Sequence, residues 1–310
     1  MHPRAVPSYA NESINPESAR KIHKELYRDT GYDAMWRLTN SGFVIRLGTT
    51  YLFLDPVLTA PLPELLAAKD RIVASGGQNR RLEERYYDRP ESLGTELYDS
   101  PLPPEQVEKA DFVFLSHDHG DHFDTAGLAK LAQLNPTVVA PGYFHAARPG
   151  QWRGILETGI PKESIIEATH GKTIDFDSFS VEVIPADHSA YRRPDPGACG
   201  YLIKTEHGNI YHPGDTNFDH PGKETICNLE VDYLIVPICD TDLGAGFGAL
   251  LTFLLQPQVV IPCHYGYTYP PIRSQGGHPA EFVTALGVRN YRIPRTDILI
   301  LQPGGKVVLT

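Results

Sequence analysis

Cysteine is scarce in this 310-residue chain, and Cys199, Cys227, Cys239 and Cys263 form no Cys-x-x-Cys pair. Such spacing argues against a disulfide framework or a thiolate metal site and fits free cysteines used as small buried hydrophobes. Positive charge is also in deficit, with 28 Lys and Arg against 38 Asp and Glu and a formal net charge of −10. Nucleic acids and anionic membranes reward clustered Lys and Arg, so neither is expected as a partner. No apolar run approaches the length that spans a bilayer, and the N-terminal Met-His-Pro-Arg-Ala-Val-Pro-Ser-Tyr lacks the apolar core of a signal peptide. Cytoplasm is the expected compartment. No repeat of solenoid period interrupts the chain. What is present, 41% hydrophobic residues of which aromatics make a large part, suffices for a substantial core.

Residues 1–33 are polar, with a helix expected over Pro16–Tyr27, and read as an N-terminal helical appendage to a main domain over 34–310. From Met35 the chain turns to β-rich segments broken at Asn40-Ser41-Gly42 and Gly48-Thr49 and closed by Asp55-Pro56. An insertion at about 57–108, rich in Pro, Arg, Glu and Tyr, has the length of a lid, a substrate loop or a subunit contact, and leaves room for a homo-oligomer. Further strands are expected at Phe112–Leu115, Pro136–Ala140, Ile165–Ala168, Lys172–Asp175, Ser180–Ile184, Gly200–Lys204, Asn209–His212, Val231–Pro237, Val259–Pro262, Asp297–Leu301 and Lys306–Leu309. Helices are expected at Thr125–Leu134, Gln151–Gly159, Gly244–Leu255 and Pro279–Leu286. Strands dominate each half and helices separate them. That order fits an α/β (α+β) architecture of two sheets packed face to face with helices outside.

The chemistry gathers where strands end. Phe112–Leu115 gives way at Ser116 to His117-Asp118-His119-Gly120-Asp121-His122, three imidazoles and a carboxylate on a strand-to-helix loop, where a rigid scaffold can aim ligands. With His at 13 of 310 positions, a chance His-x-His-x-Asp-His has a probability on the order of one in a thousand. The same change from apolar run to turn precedes His188, Asp215 and His264. As coordination chemistry, His117, His119 and His188 make a three-nitrogen site, Asp121, His122 and His264 make a second, and Asp215 can offer one oxygen to each. A position between the ions then stays open for water, as a catalytic metal requires. Imidazole and carboxylate donors without thiolate suit two divalent ions, zinc first, with manganese or iron as alternatives. His145, His170, His207, His212, His220 and His278 lack this context and read as surface or packing residues.

The set His117-x-His119-x-Asp121-His122, His188, Asp215 and His264 resembles the metallo-β-lactamase superfamily over roughly Trp36 to Leu309. Trp36–Pro56, Leu115–Asp124, Gly200–Thr205 and Ile210–Asp215 are most similar to its L-ascorbate-6-phosphate lactonase-like group, although the lactonase has a carboxylate where this chain has His188. The resemblance implies an αββα sandwich with the metals at one edge and a hydrolase whose bridging hydroxide attacks a carbonyl, Asp121 orienting it as well as ligating. It favours hydrolysis over diiron redox chemistry, whose members carry Glu at the position of His119. It also separates the chain from acyl-homoserine lactonases, which have Tyr where Phe218 stands here. Tyr191, Arg192 and Arg193 follow His188, and Tyr265, Tyr267 and Arg273 follow His264, closely enough to border the cleft. Arginine suits carboxylate or phosphate. The expected activity is a lactonase or related ester or amide hydrolase on a small anionic metabolite. The alternatives are a phosphodiesterase, including the phospholipase-D type, on the same metals, and a non-catalytic metal-binding protein.

Overall fold

Side chains of period two, apolar on both faces, build the molecule. The computed structural model describes residues 16–29, 31–59, 95–96, 100–146, 154–186, 188, 197–216, 222–238, 244–265, 268–269 and 279–310. In one sheet β1 (Ala34–Arg37), β2 (Phe43–Leu47) and β3 (Thr50–Leu54) form an antiparallel meander. Beyond β4 (Thr95–Glu96), the sheet continues in parallel through β5 (Phe112–Phe114), β6 (Thr137–Ala140) and β7 (Ile165–Glu167). The second sheet has β8 (Thr173–Asp175), β9 (Ser180–Pro185), β10 (Cys199–Thr205) and β11 (Gly208–His212) antiparallel, then β12 (Tyr233–Pro237) and β13 (Val259–Cys263) parallel. Beyond β14 (Thr268–Tyr269), which pairs with β4, the chain adds β15 (Asp297–Ile298) parallel to β13 and returns to the first sheet as β16 (Lys306–Val308) beside β1.

Three apolar layers separate four layers of structure. Phe43, Ile45, Leu52 and Leu54 from the first sheet meet Val181, Tyr201, Ile203, Ile235 and Ile261 from the second. The alternate residues Val44 and Phe53 face outward against Ile22 and Leu26 of α1 (Pro16–Tyr27) and Leu128 and Leu131 of α2 (Thr125–Leu131). On the far side Leu202, Leu234 and Val236 meet Ile226 of α3 (Lys223–Cys227), Ala249 and Leu255 of α4 (Ala245–Leu255), and Phe282 of α5 (Pro279–Val288). Strands buried on both faces explain why the sequence shows continuous apolar runs rather than alternation. The architecture is the expected αββα sandwich. Among the described residues no helix is long and apolar enough to cross a membrane.

The helix expected over Gln151–Gly159 does not form in its described part. The Ile155 and Leu156 amides donate to the Phe144 and His145 carbonyls, leaving one 3-10 turn, Leu156–Thr158, which Gly159 ends at φ +91°. Likewise α2 tightens into a 3-10 turn at Ala132–Leu134. At its start Asp124 caps the Gly127 amide and also accepts from the Leu58 and Thr59 amides, tying the segment after β3 to the helix. A Cβ on Gly127 would lie 2.3 Å from that carboxylate.

Arg46 is fully buried on the outward face of β2, and its guanidinium donates to the carbonyls of Glu25, Leu26, Asp29 and Tyr32 at the end of α1. A cation there satisfies terminal carbonyls and complements the helix dipole. Arg46→Leu leaves those carbonyls unpaired and is expected to cost about 3 kcal/mol, read as a lower urea midpoint at unchanged slope. A loss below about 0.5 kcal/mol would mean that α1 is held by Ile22 and Leu26 alone.

Candidate metal centre

Every strand that carries a candidate ligand runs in one direction. Because β9 and β11 are both antiparallel to β10, they share the direction of β12 and β13, and His188, Asp215 and His264 leave the same edge of the second sheet. In the first sheet β1, β3 and β5 likewise point one way, delivering Asn40, Asp55 and His117 to that edge. Hydrogen bonds stitch the sheets together there: the Cys199 amide donates to the Ser116 carbonyl at 3.0 Å, and the Tyr201 hydroxyl donates to the Leu115 carbonyl at 2.7 Å. Gly214, at φ +60°, lets the chain pass so close to Ser116 that a Cβ would lie 2.6 Å from that residue's Cβ. Asp215 is thereby delivered beside His117.

The seven expected ligands converge. His117, His119 and His188 place one nitrogen each within 4.8 Å of one another, and so do Asp121, His122 and His264 with a nitrogen or oxygen. The two triads share no residue. Asp215 lies between them, Oδ1 3.4 Å from His122 Nε2, and Oδ2 3.5 Å from His264 Nε2 and 3.7 Å from His188 Nε2. His117 Nε2, His122 Nε2 and Asp215 Oδ1 are buried without a hydrogen bond among the described residues. Such groups are costly unless something binds them, and imidazole nitrogens and a carboxylate oxygen aimed at common points are the donor set of a divalent cation. The residues therefore fit the metals that the sequence implies. Most of the cluster is buried, while His119 and His188 are partly exposed, so solvent reaches it from their side.

Burial lowers the His117 and His119 pKa values, and it lowers His188 to about 4, so these rings are neutral donors at neutral pH. Burial would lower His122 too, but the carboxylates of Asp215, Asp121 and Asp55 outweigh it and push it up to about 10. Burial opposes ionisation of Asp121 and Asp215, yet His122 and His264 hold both below the ordinary carboxylate range.

Sequence reasoning passes over the groups that aim these ligands. Asp55 accepts from His122 Nδ1 at 2.8 Å, from the Ser116 hydroxyl at 2.6 Å and from the Ser116 amide at 2.7 Å, while the Ser116 hydroxyl also meets His117 Nδ1 at 2.9 Å. Asn40, at φ +44°, donates to the Asp121 backbone carbonyl at 2.9 Å and to its Oδ2 at 3.2 Å, and its own carbonyl accepts from the His264 amide. His264 itself sits at φ +54°, a conformation rare for a side chain of that size and concentrated at functional sites. The available signal is the one that finds the ligands: an apolar run, Tyr51–Leu54, ending in Asp55. Asp55→Ala frees the His122 ring and is expected to weaken metal binding roughly 10- to 100-fold, measured by competition with a chromophoric chelator. Unchanged affinity would reduce Asp55 to a fold residue.

Of the expected substrate contacts, Tyr191, Arg192, Arg193, Tyr267 and Arg273 lie outside the described residues. Tyr265 is described: its hydroxyl donates to the Leu301 carbonyl at 3.0 Å and its ring lies under the Arg37 guanidinium at 4.2 Å, contacts that hold it at the end of β13. His212, expected to pack, does so with Nε2 on the Ser41 carbonyl.

The profile of the β-lactamase superfamily domain matches residues 91–265. A UPF0173 metal-dependent hydrolase of Methanopyrus kandleri is 30% identical over 212 residues, 65% of this chain and 83% of that protein. Among solved structures, Igni18, a metallo hydrolase from Ignicoccus hospitalis, superposes with a TM-score of 0.59 at 20% identity, over 90% of this chain and 98% of that one. A possible metal-dependent hydrolase of Veillonella parvula gives 0.61 at 12% identity, over 90% of this chain and all of that one. At such identities these two structures speak for the fold.

Proposed function

Because the chain belongs to the metallo-β-lactamase superfamily, we propose that it is a metal-dependent hydrolase that holds two divalent cations and opens an ester, lactone or amide bond in a small anionic metabolite. The observation that carries this reading is the pair of disjoint triads meeting at Asp215. His117, His119 and His188 would hold one ion, Asp121, His122 and His264 the other, and Asp215 both. Zinc suits these donors best, with manganese and iron as alternatives. When bound, the ions supply Lewis acidity and bring the pKa of water from about 15.7 towards 7, so that no Ser or Cys nucleophile is needed.

The chain's own residues do the positioning. Asp55 and Ser116 lock His122 and His117, each through the ring nitrogen that faces away from the cluster. Asp121, ionised and fixed by Asn40, accepts a hydrogen bond from the attacking water and so aims its lone pair at the substrate. The buried walls formed by His117, His122 and His264 exclude bulk water, and substrate enters past His119 and His188. Two divalent charges against the two carboxylates Asp121 and Asp215 leave the site near +2, which attracts anions although the chain as a whole is acidic. Arg192 and Arg193 would add to that attraction. Arg192→Ala and Arg193→Ala should then raise KM for an anionic substrate more than for a neutral analogue of the same shape.

Elemental analysis of the purified protein, followed by assay with the metal found, tests the reading. Two ions per chain and turnover within a panel of lactones, esters and amides are expected. Turnover of bis-p-nitrophenyl phosphate alone would reassign the site to phosphodiester hydrolysis. Metal binding with no turnover of either class would support the non-catalytic alternative.

A further inference from the structure

A cavity of about 240 Å³ opens beside the cluster, between the segments that follow β6 and β7. These strands continue β5 in parallel, so the cavity lies on the edge that carries the ligands. One side chain separates the two sites. The ring of Tyr143 forms a wall of the cavity, while its hydroxyl accepts from the Asp118 amide at 3.2 Å and donates to Asp118 Oδ1 at 3.3 Å, and Asp118 stands between His117 and His119.

The cavity has a defined shape because two glycines let backbone lie against its polar and aromatic walls. A Cβ on Gly142 would sit 2.5 Å from Glu167 Oε1, and one on Gly197 would sit 2.3 Å from Tyr143 Cδ1. Among the described residues of the lining, Glu167 is the only one with a formal charge. His170 Nε2 lies 2.9 Å from the Ala198 carbonyl, which can only accept; that nitrogen therefore carries the proton and leaves Nδ1 as an acceptor in the neutral ring. A carboxylate, an imidazole acceptor and an aromatic wall together select a cation that donates hydrogen bonds.

We propose that this cavity is the specificity pocket of the site and takes an ammonium group carried by the substrate. It rests on the reading above, that hydrolysis occurs at the His and Asp cluster, and adds the substrate class. The molecule would bear its anionic and carbonyl end towards the cluster and, on a chain long enough to pass Tyr143, its ammonium end towards Glu167, as an ω-amino acid derivative does.

The test compares metal-loaded wild type with Glu167→Gln and Glu167→Lys on two paired esters, p-nitrophenyl 6-aminohexanoate, which carries an ammonium on a chain long enough to pass Tyr143, and p-nitrophenyl hexanoate, which lacks it. The ratio of kcat/KM for the amino ester over the plain one is expected to fall at least tenfold in Glu167→Gln and further in Glu167→Lys, with metal content and melting temperature as in wild type. An unchanged ratio overturns the assignment. Saturation-transfer NMR of ethanolamine on the same metal-loaded proteins reads the pocket without turnover. Signal in wild type that is lost in Glu167→Gln upholds the pocket even where neither ester is hydrolysed, which would count against the hydrolase reading alone. Equal signals, or none in wild type, overturn the pocket.

Discussion

Asp215→Ala is expected to deplete metal from both triads at once, whereas His188→Ala should deplete one. The reason is position. Asp215 Oδ2 lies 3.7 Å from His188 Nε2 and 3.5 Å from His264 Nε2, members of different triads, and the same carboxylate groups with His117 and His122, again one from each. It also supplies one of only two carboxylates among seven ligands, so its removal deprives both cations of charge compensation as well as a donor. Loss of a ligand should exceed the roughly 10- to 100-fold that loss of a supporting group costs, and activity should fall with metal content. Elemental analysis after dialysis reads the result, with Asp215→Asn as the variant that keeps the side chain's shape. Equal metal content in wild type and Asp215→Ala would refute the bridging role. Loss from one site alone would place Asp215 in a single triad.

The same residue shows what the sequence makes legible. His117, His119, Asp121, His122, His188, Asp215 and His264 each stand where an apolar run gives way to turn residues, and a strand buried on both faces has nowhere to place a polar group except its end. Side-chain chemistry and spacing therefore expose them. Asp55 obeys the same pattern but is missed, because its carboxylate serves the far nitrogen of His122. That contact depends on β3 and β5 being neighbours in the sheet, which no local pattern states. Asn40 is hidden more thoroughly: Asn40-Ser41-Gly42 reads as a turn, which it is, and nothing in the triplet shows that the Asn side chain bonds Asp121. Tyr265 illustrates the same limit: adjacency to His264 suggests a place in the cleft, and no local pattern states that Arg37 and the Leu301 carbonyl also lie within its reach. The stretch ending at Gly159 has helical composition, yet the Phe144 and His145 carbonyls take the amides of Ile155 and Leu156.

Metal removal is expected to destabilise the fold strongly and to leave a protein whose stability is greatest near pH 6.5. A ligand present at 1,000 times its dissociation constant stabilises the folded chain by about 4 kcal/mol per site, so two sites account for about 8 kcal/mol. In the chelated protein the cluster's own titration then becomes visible. His188 falls from an unfolded value near 6.5 to about 4 in the fold because burial disfavours its charge, and His117 and His119 shift the same way. Between those values the unfolded chain binds more protons, so stability is lost as pH falls from about 6.5 to 4. His122 runs the other way. Its value is raised to about 10, so its contribution is complete below about 6.5 and disappears as pH rises towards 10. Asp121 and Asp215, held below the ordinary carboxylate range, add stability that is lost only below about pH 4. Thermal melts of chelated protein from pH 4.5 to 9.5 should therefore trace a dome, with His188→Gln flattening its acid limb and His122→Gln its alkaline limb. With metal restored the whole curve should rise at neutral pH and rejoin the chelated one in acid, where protons displace the ions. Coincident melts with and without chelator at pH 7 would mean that the buried His and Asp residues hold no metal in solution, and the catalytic assignment would go with them.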